Sequence, residues 1–284
     1  MTTTMSSKNR PSNPLEYWDK RRGTIYSRKG GAIFAQGIVF SHGYLILEEL
    51  VGNVTYTQMI VLNATGKLPD PRVAAWIEAA FICLSWPDPR IWCNQIGALS
   101  GTLRTTAVAA TAAGMLAADS TMYGTLPLIE GVAFIQQALK DKRNGLISSE
   151  IVDRQCARYH GKPNIVGYAR PIARGDERVV ALERVTEALG FDIGDHLSLA
   201  YEIQDILLER FAETMNINGY ASAFLSDQGY TGDEIYQFSA MCVNSGVTAS
   251  YLGTREQPPE SFLPLKCEDI DYQGKSPRPV PDKD

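Results

Sequence analysis

From Ile96 to Ala118 the chain runs almost entirely through Ala, Gly, Ser, Thr and aliphatic residues, with one charge, Arg104. A helix whose outer face meets water needs polar side chains there. Small side chains instead allow backbones to approach closely. The composition therefore predicts a helix over 96–118 buried between other helices or against a second subunit. Tight packing alone explains it, and no ligand site is needed.

The neighbouring segments also read as helices. A basic, glycine-containing stretch at 15–42 fits a short strand or hairpin. From Tyr44, Leu45, Leu47, Leu50 and Val51 recur at near-helical spacing up to Gly52-Asn53. A helix over about 57–65 stops at Gly66, and another follows Pro71, a residue suited to a first helical turn. Helices are predicted over 127–139, 146–160, 179–189, 197–211 and 233–252, with a Gly/Pro loop at 161–175. The proline-rich tail from Pro258 cannot be helical and is read as extended over a surface. With few strand signals and no repeat, the class is all-α.

Charge and cysteine content narrow the function. Twenty-seven basic and thirty-two acidic residues give a net charge of −5 with no basic stripe, which argues against nucleic acid as a partner. The apolar runs are all too short to span a membrane. The polar N-terminus has no apolar signal core, so residues 1–20 read as a flexible lead-in and the protein as cytoplasmic. Cys83, Cys93, Cys156, Cys242 and Cys267 are odd in number and lack C-x-x-C spacing. They point to buried free thiols, with neither a disulfide framework nor a metal site.

Five stretches, in order, resemble the citrate synthase superfamily, which includes citryl-CoA lyases and the C-terminal part of ATP-citrate lyase. Glu48-Glu49-Leu50-Val51-Gly52 through Gly66-Lys67-Leu68-Pro69 is similar to the family's "ELI…LLLTGKLP". Tyr123-Gly124, after the small-residue segment, stands where the family has "HGGA". Gly167-Tyr168-Ala169-Arg170 with Asp176-Glu177-Arg178 resembles "GxGHR…DPR". Met215 to Tyr220 resembles "PNVDFY". Gly246 to Leu252, with Asp271-Tyr272-Gln273-Gly274 and Arg278, resembles the family's C-terminal stretch. The resemblance covers about residues 20–280. It implies a citrate synthase-like homodimer with a large domain (21–125 and 218–284), a small domain (126–217) and a cleft between them. It also implies a coenzyme A thioester or polycarboxylate as ligand, with no separate cofactor.

A Claisen-type condensation needs a base beside the thioester, a donor for the enolate oxygen and a donor for the oxo carbonyl. At the positions matched to the family's Asp and two His residues this chain carries Asn218, Tyr123 and Arg170. An amide is no base near neutral pH, and a guanidinium is a poor acid. Arg178 and Arg278 match carboxylate-binding arginines of the family, whereas the arginine near its C-terminal arm has no match at 262–266. Of the three histidines, His160 beside the cleft loop is the best spare proton carrier. His42 reads as a turn residue and His196 as packed or surface. Asp176, Glu202 and Asp205 read as caps or solvated carboxylates, Asp176 as the N-cap before Val179.

Two functions follow. One is a repurposed enzyme that makes or breaks a C–C bond using Arg170, Tyr123 and Asn218 as an electrophilic, hydrogen-bonding set. The other is a non-catalytic binding or regulatory subunit that pairs with itself or an active homologue.

Overall fold

The computed structural model describes residues 14–169, 175–263 and 266–280. It divides into two compact units, residues 1–71 and 72–284.

In the first unit a short helix, α1 (Pro14–Asp19), precedes a three-stranded antiparallel sheet of β1 (Gly30–Ile33), β2 (Ile38–Ser41) and β3 (Tyr44–Leu45). The hairpin expected within 15–42 is β1 paired with β2, Gly30 opposite Ser41 and Ile33 opposite Ile38. Between β2 and β3 the two-residue turn is His42-Gly43, both at positive φ (51° and 90°). That pair of left-handed residues matches the right-handed strand twist. The helix expected from Tyr44 starts later: Tyr44 and Leu45 are strand, and Ile46–Leu50 form one wide π-type turn. Helix α2 (Tyr56–Thr65) follows the sequence closely. Thr55 and Gln58 cap it reciprocally at 3.2 and 3.0 Å, and Gly66 ends it at φ 79°. Ser41 Oγ donates to Asn63 Oδ1 at 2.8 Å, tying sheet to helix.

The second unit is all-helical. Its elements are α3 (Pro71–Cys83), α4 (Trp92–Thr102), α5 (Ala107–Ala118), α6 (Leu126–Arg143), α7 (Ser148–Arg158), α8 (Glu177–Ala188), α9 (Asp195–Phe211), α10 (Ile217–Asp227), α11 (Gly232–Ser239) and α12 (Asn244–Arg255). After Pro258 the described chain has no α-helix or strand: it turns at 259–260, with Glu260 and Leu263 at positive φ, and forms one 3-10 turn, Cys267–Asp269.

Three expectations need correction. The single helix over 96–118 is two, α4 and α5. Arg104 adopts φ 60°, which a helix cannot continue through, and Thr106 caps α5 by accepting Ala109 N–H. The Arg104 guanidinium donates instead to the carbonyls of Arg255, the last residue of α12, and Gln257 just after it. The single helix over 233–252 is likewise α11 and α12. The turn between them buries Cys242 and Val243 with Cys93, Ala118 and Val247 in one apolar cluster. Helix α10 was not expected at all. Nearly every residue in it is buried, so its sequence has no polar face to reveal a helical period.

The small residues do allow close packing. A Cβ on Gly97 of α4 would lie 2.6 Å from the Val247 carbonyl oxygen of α12, and one on Gly114 of α5 would lie 2.8 Å from that of Cys93. Among the described residues no helix is long and apolar enough to cross a membrane. Likewise no group of three His, Cys, Asp or Glu side chains is placed to hold a metal ion.

Candidate functional site

The start of α10 is the point on which several segments converge. Asn216, its N-cap, accepts the backbone N–H groups of Asn218 (2.9 Å) and Gly219 (3.3 Å) on its Oδ1. Its Nδ2 donates to the Ala169 carbonyl at 2.7 Å, and its own N–H donates to the Gly167 carbonyl at 2.9 Å. Ala169 N–H donates to the Thr214 carbonyl at 2.8 Å, and Tyr168 bridges Met215 in antiparallel fashion. The loop at 167–169 and the turn at 214–219 are thus laced by backbone bonds. Gly167, at φ 98°, is required here: a Cβ would lie 2.6 Å from Gly219 Cα. Two stretches that sequence could only match separately to a family pattern are therefore one structural feature. Arg170, the next residue, lies outside the described residues.

On the far side of that segment, Asp176 caps α8 as expected by accepting the Arg178 N–H. It does more. Arg178 grips it with Nε on Oδ1 and Nη2 on Oδ2, both at 2.7 Å, and Oδ2 also accepts Ile217 N–H at 2.9 Å. The Asp176 side chain is 0% exposed and that of Arg178 20%. Burial pushes the Asp176 carboxyl up, but the bonds and charge of Arg178 and the two backbone N–H groups outweigh it and leave it below the usual carboxylate range. Arg178 is thus a positioned cation, with one edge taken by Asp176.

Asn218, one residue into the α10 turn, accepts Ser222 Oγ–H at 3.0 Å on its Oδ1. It lines an apolar cavity of about 70 Å³ together with Gly124. Tyr123, beside Gly124, packs against Trp92 with ring centres 5.6 Å apart, and its Oη lies 3.8 Å from Cys93 Sγ. Burial raises the Tyr123 hydroxyl pKa, with the neighbouring Cys93 and Cys242 thiols adding and Arg178 opposing. Tyr123 is therefore a neutral donor near pH 7, not a base. A second cavity, of about 350 Å³, is bounded by Met115, Leu116 and Asp119 and shares Gly124 with the first.

Asn218, Tyr123 and Arg178 are thus brought into one neighbourhood. His160 and Arg278 are not joined to it: both are exposed, and no hydrogen bond or ion pair links either to these residues. Among the other candidates, His196 pairs with Asp227 at 2.8 Å, Glu202 with Lys142 and Ser148 at 2.6 Å, and Asp205 is exposed. His42 buries its Nε2, which has no hydrogen-bond partner among the described residues.

Cys83 was not singled out in sequence. It ends α3 close enough to Arg178 and Asp176 for both to act on its thiol, whose pKa burial raises. Cys93 and Cys242 are buried free thiols, and burial pushes Cys242 up to about 12. Cys83 and Cys156 are only half-buried.

No known family model matches the chain, and no curated protein sequence does. Its structure is similar to the citryl-CoA lyase of Hydrogenobacter thermophilus, with TM-score 0.75 and 22% identity over 90% of this chain and 97% of that one. It is also similar to the ATP citrate lyase of Methanothrix soehngenii in complex with citrate and coenzyme A (TM-score 0.73, 15% identity). That match covers 96% of this chain and 46% of the longer protein. A third likeness is to the citrate synthase of Thermoplasma acidophilum in ternary complex with carboxymethyl coenzyme A and oxaloacetate. There the TM-score is 0.57 and the identity 11%, over 80% of this chain and 59% of that one. The chain has a mostly helical, citrate synthase-like fold.

Proposed function

We propose that this chain binds a coenzyme A thioester or a polycarboxylate beside Asn218, Tyr123 and Arg178, and makes or breaks a C–C bond there by charge and hydrogen bonding. The observation that carries the reading is the convergence on the start of α10. Asn218 faces a cavity, and the Asp176–Arg178 pair and the 167–169 loop are tied to the same turn. The fold likeness to proteins solved with citrate, coenzyme A and oxaloacetate supports the ligand class.

The residues bound the chemistry. Tyr123 and Asn218 donate hydrogen bonds, and Arg178 supplies a fixed positive charge. Together they stabilise an enolate or a carboxylate without accepting a proton. Such a site suits decarboxylation of a β-oxo acid better than deprotonation of an acyl group, and a retro-aldol cleavage here would need the proton of the cleaved hydroxyl to pass to solvent water. In this reading residues 126–217 are the smaller domain and Arg170 lies at the same site.

Thermal unfolding with acetyl-CoA, coenzyme A, citrate and oxaloacetate tests it. A ligand at about 100 times its Kd adds about 2.7 kcal/mol, a shift of several degrees, and Asn218→Ala should reduce that shift at least by half. If none of the four moves the transition, the reading is wrong.

One observation favours a non-catalytic binding subunit as the second reading. Asp176, bonded to Ile217 next to Asn218, is the carboxylate tied to this turn, and Arg178 and Ile217 already occupy it. Ligand-induced stabilisation with no turnover of citryl-CoA in either direction would select that alternative.

The reading includes a homodimer. Helix α5 carries no charge, yet Val108 is 80% and Leu116 77% exposed, with Leu103 before it at 60%. An apolar face of this kind is a contact surface. Light scattering should give twice the 31.2 kDa chain mass, and Leu116→Lys with Val108→Lys should give the single mass. A monomeric parent protein would refute it.

A further inference from the structure

The larger cavity, of about 350 Å³, lies between the end of α5 and α11 with the turn that follows it. Small-molecule sites span roughly 300–1,000 Å³. Met115 and Leu116 of α5, Ala240 after α11, and Cys242 and Val243 line it with apolar surface. Cys242 and Val243 belong to the buried cluster with Cys93 and Val247, so that wall is fixed. Gly124 is common to this cavity and the one at Asn218, but it abuts the Ala118 carbonyl and opens no passage between them. No residue of α10 lines the larger cavity.

Three polar residues, Asp119, Thr125 and Tyr236, stand at one place in its wall. Asp119 pairs with Gly124 in an antiparallel backbone bridge, which brings Thr125 next to it. Tyr236 donates its hydroxyl to the two Asp119 oxygens at 3.2 and 3.1 Å. Among the described residues no Lys, Arg or His pairs with that carboxylate. Thr125 is 7% exposed and its side chain does not cap α6. Its hydroxyl has no hydrogen-bond partner among the described residues.

The charges here do not cancel. Asp119 is the C-cap of α5, which has no basic residue in its last turn. A helix C-terminus carries about half a negative charge, and a carboxylate there meets repulsion. The N-terminus of α6, beginning at Leu126, supplies about half a positive charge and offsets only the α5 dipole. The full negative charge of Asp119 remains. Tyr236 supplies one proton to a carboxylate with about four acceptor sites, and Thr125 Oγ1 adds a free acceptor. An ammonium group, with three donors and no acceptor, matches this set.

We propose that this cavity binds a primary alkylamine, whose ammonium head bonds to Asp119 and Thr125 while its hydrocarbon lies against Met115, Leu116 and Val243. The site is separate from the one at Asn218 and does not rest on the proposed function. A carboxylate ligand has the wrong sign for it.

The test is calorimetry on the whole protein with hexylamine, 1-hexanol, hexanoate and methylamine. Hexylamine should bind at least tenfold tighter than 1-hexanol, the factor a charge-assisted hydrogen bond supplies. It should also bind at least tenfold tighter than methylamine, which has no chain to bury. Hexanoate should bind more weakly than 1-hexanol. Asp119→Asn should weaken hexylamine at least tenfold and change 1-hexanol by less than twofold. The net charge of −5 attracts any amine weakly, and removing one carboxylate barely alters that background, so a tenfold loss identifies the site. Ala240→Leu, at an exposed position, obstructs the cavity and should weaken hexylamine and 1-hexanol alike. Leu116, which also belongs to the proposed dimer contact, is unchanged in both variants. Hexylamine that binds no tighter than 1-hexanol, or that keeps its affinity in either variant, overturns the proposal, and so does an absence of binding. None of these results bears on the thioester and citrate measurements, so the two readings fail separately.

Discussion

Replacing Asp176 with alanine is expected to destabilise the protein by about 3–5 kcal/mol, because it leaves a half-sequestered guanidinium without its partner. The carboxylate is wholly inaccessible, meets Arg178 through two bonds of 2.7 Å, and holds Ile217 N–H at 2.9 Å. Its loss therefore frees the start of α8 and the start of α10 together. Asp176→Asn keeps the shape but gives up the charge, and should lose less. Because Asp176 titrates below its ordinary value in the folded protein, its contribution is present above the unfolded carboxylate pKa of about 3.9. It is lost as pH falls through the lower folded value. The Asn variant should accordingly differ most from the parent near neutrality and converge on it in acid. Urea unfolding of both proteins between pH 7 and pH 3 checks this. A loss below about 1 kcal/mol for Asp176→Ala at pH 7 would show that the pair contributes nothing net.

Trp76→Ala should be as damaging, at about 3–5 kcal/mol, the range for truncating a buried aromatic residue. Trp76 is fully buried on α3, with its ring parallel to Phe224 at 4.1 Å and Tyr220 at 6.3 Å. Its N–H meets Thr186 Oγ1, which also accepts the Tyr220 hydroxyl at 2.9 Å and donates to the Leu182 carbonyl at 2.8 Å. One side chain thus joins α3, α8 and α10. Trp76→Phe retains part of the stacking but drops the hydrogen bond, and should cost about half as much. Chemical unfolding at neutral pH measures both. Equal losses for Phe and Ala would mean that the hydrogen bond to Thr186, and not the ring packing, supplies the stability.

Local chain punctuation was legible wherever one residue type has one physical use. Gly66 ends α2 at a left-handed φ, Pro71 opens α3, Asp176 caps α8, and Gly190 follows α8 at φ 69°. Amphipathic helices such as α8 and α9 showed their apolar stripe because one face meets water. The errors fell where that contrast vanishes. Helix α10 is buried on all sides and offers no stripe. The break at Arg104 depends on carbonyls about 150 residues away, at the C-terminal end of α12. Within the candidate site, the resemblance located Asn218, Tyr123 and Arg178 individually, and sequence also assigned Asp176 to its cap. The second role of Asp176, as the anchor of Arg178 and Ile217, could not be read from a cap motif.

The sequence by itself determined the helical class and most element ends. These follow from backbone preferences and side-chain chemistry, which act within a few residues. Only the tertiary structure decided that the 167–169 loop and the start of α10 are laced together, that Arg178 is held by a buried partner, and that Asn218 faces an apolar cavity. Those facts arise from contacts between segments tens of residues apart, where the free energy lies in burial and pairing that no local pattern encodes.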